Sequence, residues 1–114
     1  LAEHEPLSSP VDFAAMGDIA RRMVHDSLES LVNQDVGLAR KVREMDDELD
    51  DMHAENYRVM QALMAKDPDN IVPAVSYLTI SSNLERIGDL STNIAEEVIF
   101  MEEGEVVRHP EWNQ

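Results

Sequence analysis

A seven-residue apolar repeat, present twice, constrains this chain more than any other feature. Leu38, Val42, Met45, Leu49, Met52, Asn56, Val59 and Leu63 alternate steps of four and three, with Asn56 the one polar member. Tyr77, Ile80, Leu84, Ile87, Ser91, Ile94, Val98 and Met101 repeat the pattern, with Ser91 the polar member. Such a repeat keeps one face of an α-helix against its neighbours and predicts left-handed packing at a shallow crossing angle. A third apolar side is formed by Phe13, Met16, Ala20, Met23, Leu28 and Leu31, supported by Ile19 and Val24.

Turn and cap signals divide these runs. Ser9-Pro10-Val11-Asp12 reads as a helix start, with Ser9 as cap and Pro10 at the first helical position, and the helix is expected to end at Asn33. Asn33-Gln34-Asp35 breaks it, and Asp35 can cap a second helix from about Val36 to Ala65. Lys66-Asp67-Pro68-Asp69-Asn70 is a dense turn signal. The third helix is expected to begin between Asp69 and Ala74 and run to about Glu103, where Gly104 stops it. Residues 1–9 read as a linker, 10–104 as the folded domain and 105–114 as a short tail.

Three long helices with short connections predict an all-α, antiparallel three-helix bundle, up-down-up in the spectrin-like manner. Helices of about 30 residues reach roughly 45 Å. A bundle that long and thin is expected to leave apolar surface for a partner, either a second copy or another domain.

Charge narrows the function. Twenty-four acids against nine bases leave the chain at −15, which would repel nucleic acid and an anionic membrane and attract cations or basic protein patches. There is no cysteine, hence no disulfide and no thiolate metal site, a composition that fits the cytoplasm. No run approaches the ~18 consecutive apolar residues of a membrane span, and no signal peptide is visible. The chain begins at Leu1, which suggests a piece of a longer polypeptide.

The acids are placed in pattern. Glu85, Asp89, Asn93 and Glu96 recur at helical steps, out of phase with the apolar residues and roughly opposite them. Asp46 and Asp50 are four apart on the second helix with His53 three further on, within a stretch from Glu44 to Glu55 that holds seven acids and no base. Carboxylates at this spacing repel each other mildly, and a cation between them turns the pair into a chelate. The plainer alternative is a solvated acidic face. Gly88 between Glu85 and Asp89 costs ~1 kcal/mol relative to Ala inside a helix, which points to close approach of another backbone or to room for something bound. Oxygen ligands favour magnesium, manganese, calcium or ferric iron, and His53 would admit zinc or ferrous iron. The acids are not expected to point into the bundle centre, so a site would be open and on the surface.

His25 beside Asp26 reads as a surface pair. No nucleophile elbow, phosphate-binding glycine loop or zincin motif occurs, so catalysis is not expected.

Leu84 to Glu96, L-E-R-I-G-D-L-S-T-N-I-A-E, resembles the signature E-R-I-G-D-x-x-x-N-I-x-E of PhoU domains, regulators of phosphate uptake. Met45 to Asp50, M-D-D-E-L-D, resembles the family's D-x-x-x-D element, and the D-P-x-x-I turn from Asp67 to Ile71 also has a counterpart. The resemblance covers about residues 12–103. It implies an all-helical, non-enzymatic, metal-binding regulator, usually built of two tandem three-helix repeats. Carried to matching positions, the metal ligands are Asp46, Asp50, Glu85 and Asp89, with Asn93 and Glu96 in support; His53 joins the supporting set on its spacing alone. Iron or zinc is the implied metal, with nickel, manganese or magnesium as alternatives. The implied partners are the phosphate-transporter ATPase and a sensor histidine kinase in the cytoplasm. The chain holds one repeat, so a homodimer or a second repeat is expected to complete it. The rival reading is a helical interaction module, fused to a transporter or a transcription regulator, whose acidic face docks basic partners without metal.

Overall fold

The computed structural model describes the backbone of residues 12–112 and the side chains of residues 12–104. Three helices, α1 (Phe13–Asn33), α2 (Val36–Lys66) and α3 (Ile71–Trp112), form the expected three-helix bundle, and a 3-10 turn at Pro68–Asn70 joins the last two.

Each helix start has a local cause. Asp12 caps α1, its Oδ1 accepting the Ala15 N–H at 3.0 Å. The helix therefore begins at Phe13 rather than at Pro10; Ser9 and Pro10 lie outside the described residues. Asp35 caps α2 as expected, accepting the Leu38 N–H at 3.0 Å. Between them Gln34 takes the left-handed conformation (φ 53°, ψ 46°), and the Asp35 N–H closes on the Ser30 carbonyl at 2.9 Å. At the second turn Asp67 Oδ1 accepts the Asp69 N–H, and the Asn70 amide donates to the Leu63 carbonyl at 2.8 Å.

The end of α3 differs from expectation. It does not stop at Gly104 but continues to Trp112. Glycine ends a helix when its backbone turns to positive φ, and no glycine among the described residues does so. At 42 residues α3 is about 63 Å long by the helical rise, which accounts for the 62 Å long axis of the molecule.

The buried seam is also rotated from the one expected. On α3 it runs through Ala74, Ser81, Gly88 and Ala95, with Ser91, Val98 and Ile99 beside it. Ile80, Ile87 and Met101, expected inside, are 44%, 38% and 41% exposed. On α1, Ser27 and Ser30 are buried while Leu28 and Leu31 are not. On α2 the buried set is Ala39, Val42, Leu49, Asn56 and Met60. Small side chains every seventh residue of α3 let the other two helices come close, and the bulkier aliphatics are turned to the rims. Met16, Met23 and Leu49, all fully buried, fill the space left over these small residues. The hydroxyls of the four buried serines are satisfied within the bundle. Ser27, Ser30 and Ser91 donate to carbonyls of their own helices, and Ser81 Oγ meets His53 Nδ1 at 2.6 Å. Asn56, also fully buried, has neither its oxygen nor its nitrogen partnered.

Two glycines test this packing in opposite directions. Nothing lies within 4 Å of where a Cβ on Gly17 would sit, so Gly17→Ala is expected to stabilise the bundle by about 1 kcal/mol through helix propensity. A Cβ on Gly88 would stand 2.7 Å from Leu49 Cδ2, 3.4 Å from Asp46 Oδ1 and 3.6 Å from Met23 Cε. Overpacking of a filled core costs ~1–3 kcal/mol and propensity returns ~1 kcal/mol, so Gly88→Ala is expected to destabilise by up to about 2 kcal/mol. Urea unfolding of the two variants would show shifts of opposite sign; a stabilised Gly88→Ala would mean that the helices do not meet as closely as described.

The two edges of α3 differ in chemistry. Glu85, Asp89 and Thr92 lie on the edge facing α2, as the contacts below establish. Helix geometry puts Ile80, Ile87 and Leu90 on the far side of the seam from them. On α1, Arg22 and Asp26 border a groove with Lys41, Glu44 and Met45 of α2, so Val24, Leu28 and Leu31 occupy the flank away from α2. All six of these apolar residues are exposed, Leu90 the most at 64%.

Candidate functional site

Register brings the two acidic pairs together. Helices α2 and α3 run antiparallel from the Asp67 turn, so Asp46 and Asp50 stand opposite the stretch of α3 that carries Glu85, Gly88 and Asp89. The contact of Gly88 with both Leu49 and Asp46 fixes this alignment.

Electrostatics record the proximity. Burial raises the Asp46 pKa, and the charges of Asp50, Asp89 and Asp47 add to it, while the neighbouring Thr92 hydroxyl opposes them. Glu85 is pushed from 4.5 up to about 8. Burial is the first cause, followed by a hydrogen bond that its protonated form makes to Asp50 and by the charges of Asp50, Asp89 and Asp46. Each of the four acids thus influences at least one of the others, across two helices. At neutral pH Glu85 holds a proton, which takes the place of a positive charge between the carboxylates.

The seam rotation explains why Asp46 and Glu85 are desolvated. Both are half-buried, whereas Asp50 and Asp89 are exposed. The expectation of α3 acids lying opposite the seam therefore fails for Glu85, which stands, like Asp46, at its edge. Asp46 Oδ1 and Glu85 Oε2 are buried atoms with no hydrogen-bond partner. An orphaned carboxylate oxygen out of contact with solvent is costly, and a cation is the group best able to relieve it.

The other residues singled out from the sequence fall as follows. His53 is half-buried and its Nδ1 is engaged by Ser81 Oγ at 2.6 Å. Asn93 is exposed. Glu96 is exposed and lines an open groove of about 450 Å³ between α2 and α3, together with Arg43, Asp46 and Thr92. His25 and Asp26 form the expected surface pair, Nδ1 to Oδ1 at 3.1 Å. Thr92 was not anticipated as a site residue. The signal for it was positional: it lies seven residues after Glu85 and three after Asp89, on their edge of the helix.

The donor set is all oxygen, and two of its oxygens are buried and free, so the residues fit a hard cation in chemistry. Among the described residues, however, no three His, Asp or Glu side chains already converge as a ligand set.

The family model for the PhoU domain matches residues 13–98, the span of all three helices up to the end of the seam. The chain belongs to the PhoU domain family. Its relatives include the phosphate-specific transport system accessory protein PhoU homolog of Xylella fastidiosa (strain 9a5c), 40% identical over 105 residues, which are 92% of this chain and 44% of that protein. The protein of the same name in Aquifex aeolicus is 38% identical over 109 residues, 96% of this chain and 49% of that one. That of Deinococcus radiodurans is 32% identical over 100 residues, 88% of this chain and 47% of the relative. This PhoU domain thus spans less than half the length of the relatives it matches. No helix among the described residues is long and apolar enough to cross a membrane.

Proposed function

We propose that this PhoU domain is a metal-binding regulatory unit of a phosphate transport system, acting through protein contacts and not through catalysis. One observation carries the reading. Two carboxylate pairs, Asp46/Asp50 and Glu85/Asp89, meet across α2 and α3 with buried oxygens that have no partner. Mutual repulsion of this kind weakens the metal-free fold, and a bound cation converts it into affinity. Asp46, Asp50, Glu85 and Asp89 would hold the ion, with Glu96 and Asn93 beside them and His53 bracing α2 against α3. Iron or zinc is the first choice, with nickel, manganese or magnesium next. Relatives named as accessory proteins of phosphate-specific transport support the assignment to that system. A transporter ATPase and a sensor histidine kinase, both on the cytoplasmic side, are the partners in this reading. A second three-helix unit, from another copy or from a longer chain, would cover Val24, Leu28, Leu31, Ile80, Ile87 and Leu90.

The test is metal uptake. Purified protein titrated with zinc, nickel and manganese salts should bind at micromolar concentration, and Glu85→Ala with Asp89→Ala should abolish binding. Uptake that survives the double substitution unchanged would refute the ligand assignment.

The lack of a converged three-ligand set among the described residues favours a second reading, in which the acids dock a basic partner. That version requires no uptake at micromolar metal and a partner affinity that weakens steeply with salt.

A further inference from the structure

The Thr92 hydroxyl is buried, and among the described residues no group meets it at full hydrogen-bond geometry, although the Asp46 carboxyl is its neighbour. A threonine inside a helix ordinarily settles its hydroxyl on the carbonyl one turn back. Thr79 does so with Val75, and Ser91, the immediate neighbour of Thr92, does so with Ile87. Thr92 does not. Its hydroxyl instead stands by the Asp46 carboxyl, in the groove that both residues line. Asp46 Oδ1 is likewise buried and unpartnered, although the two groups are complementary, one a donor and the other an acceptor. Two complementary orphans side by side, at a distance or angle that does not yet make a bond, need only a small side-chain movement to satisfy each other. The stiff χ1 of a β-branched residue keeps the hydroxyl where that movement can find it.

We infer that Thr92 is a positioning residue for the metal site, its hydroxyl orienting the Asp46 carboxylate toward Asp50, Glu85 and Asp89. This rests on the metal-binding reading above. A hydrogen bond takes one lone pair of the carboxylate, leaves the remaining lone pairs for the ion and fixes the rotamer of the ligand. Such outer contacts are worth 10–100-fold in metal affinity. Gly88, one turn before Thr92 on the same helix, serves the same end by letting Asp46 approach α3 to within 3.4 Å of its missing Cβ.

The experiment compares wild-type protein with Thr92→Val, Thr92→Ala and Thr92→Ser by calorimetric titration with zinc and manganese chlorides, alongside thermal melts in chelator. Valine keeps the shape and removes the hydroxyl, so affinity should fall by about 10–100-fold while the metal-free melting temperature holds. Alanine should lose affinity to the same degree, which covers the case of a valine variant that folds poorly. Serine should bind as wild type does. Equal affinity in wild type, valine and alanine variants would overturn the inference and leave the metal reading standing. Loss in the serine variant as deep as in valine would assign Thr92 a packing role and overturn it as well. A wild-type protein that takes up neither metal would overturn the metal reading itself, and this inference with it.

Discussion

Replacing Glu85 by Gln should raise the melting temperature of the metal-free protein at pH 9 and change it little at pH 5. The Glu85 carboxyl titrates near 8 in the folded protein against 4.5 for the free group. An acid whose pKa is raised by folding binds its proton more tightly in the native state. Its stabilising contribution is complete below about pH 4.5 and is lost as pH rises to about 8. Wild-type stability should therefore decline across that interval. Glutamine keeps the size, cannot ionise, and should flatten most of the slope; Asp46, raised in the same direction, accounts for the rest. Glu85 is only half-buried, so solvent screening reduces the effect well below the full linkage value. About 1 kcal/mol of it would still move the midpoint by roughly 4–8 °C in a domain of this size. The same proton must leave before a cation enters, so metal affinity should climb with pH up to about 8 in wild type. Melting curves in chelator from pH 5 to pH 9 decide the matter. Parallel profiles for wild type and Glu85→Gln would mean that the carboxyls are not coupled.

The largest loss of stability is expected at Leu49. Its side chain is fully buried and fills the space over Gly88, where α2, α3 and Met23 of α1 meet. Truncation to Ala removes that filling and leaves a cavity, at ~2–5 kcal/mol. For a small domain with roughly 5–15 kcal/mol in total, that is a large share. Leu49→Met, which conserves volume, should cost less than about 1.5 kcal/mol. The contact also predicts a change of sign. Gly88→Ala, destabilising in wild type, should become neutral or stabilising in the Leu49→Ala background, because the new methyl enters the vacated space. Urea unfolding of the four-member cycle measures this coupling, and additive effects would show that the two residues do not share a packing site.

Much of the architecture was legible in the chain because it depends on local chemistry. Asp35 and the Asp67–Asn70 turn act through their own side chains on the nearest backbone groups, and both work as expected. Gly104 misled because a glycine only permits a helix to end; α3 continues through it with ordinary backbone angles. The phase of the seam was misjudged for a related reason. Hydrophobicity marked Ile80, Ile87, Leu28 and Leu31 as core, since their apolar surface outweighs that of Ser81, Gly88, Ser27 and Ser30. Once three helices must share one axis, the closest approach selects the smaller residues, and the isoleucines and leucines are moved to the rim.

That one rotation decides the character of the site. The spacing of Asp46/Asp50 and Glu85/Asp89 is written in the sequence, as are three helices, their order and the resemblance to PhoU domains. Spacing places acids on a helix but does not say how far each stands from water. The tertiary structure alone set Asp46 and Glu85 at the edge of the core, brought Thr92 beside Asp46 and left Asp50 and Asp89 in solvent. Desolvation depends on what a neighbouring helix covers, and that depends on side-chain volumes summed across the whole bundle, which no single helix contains.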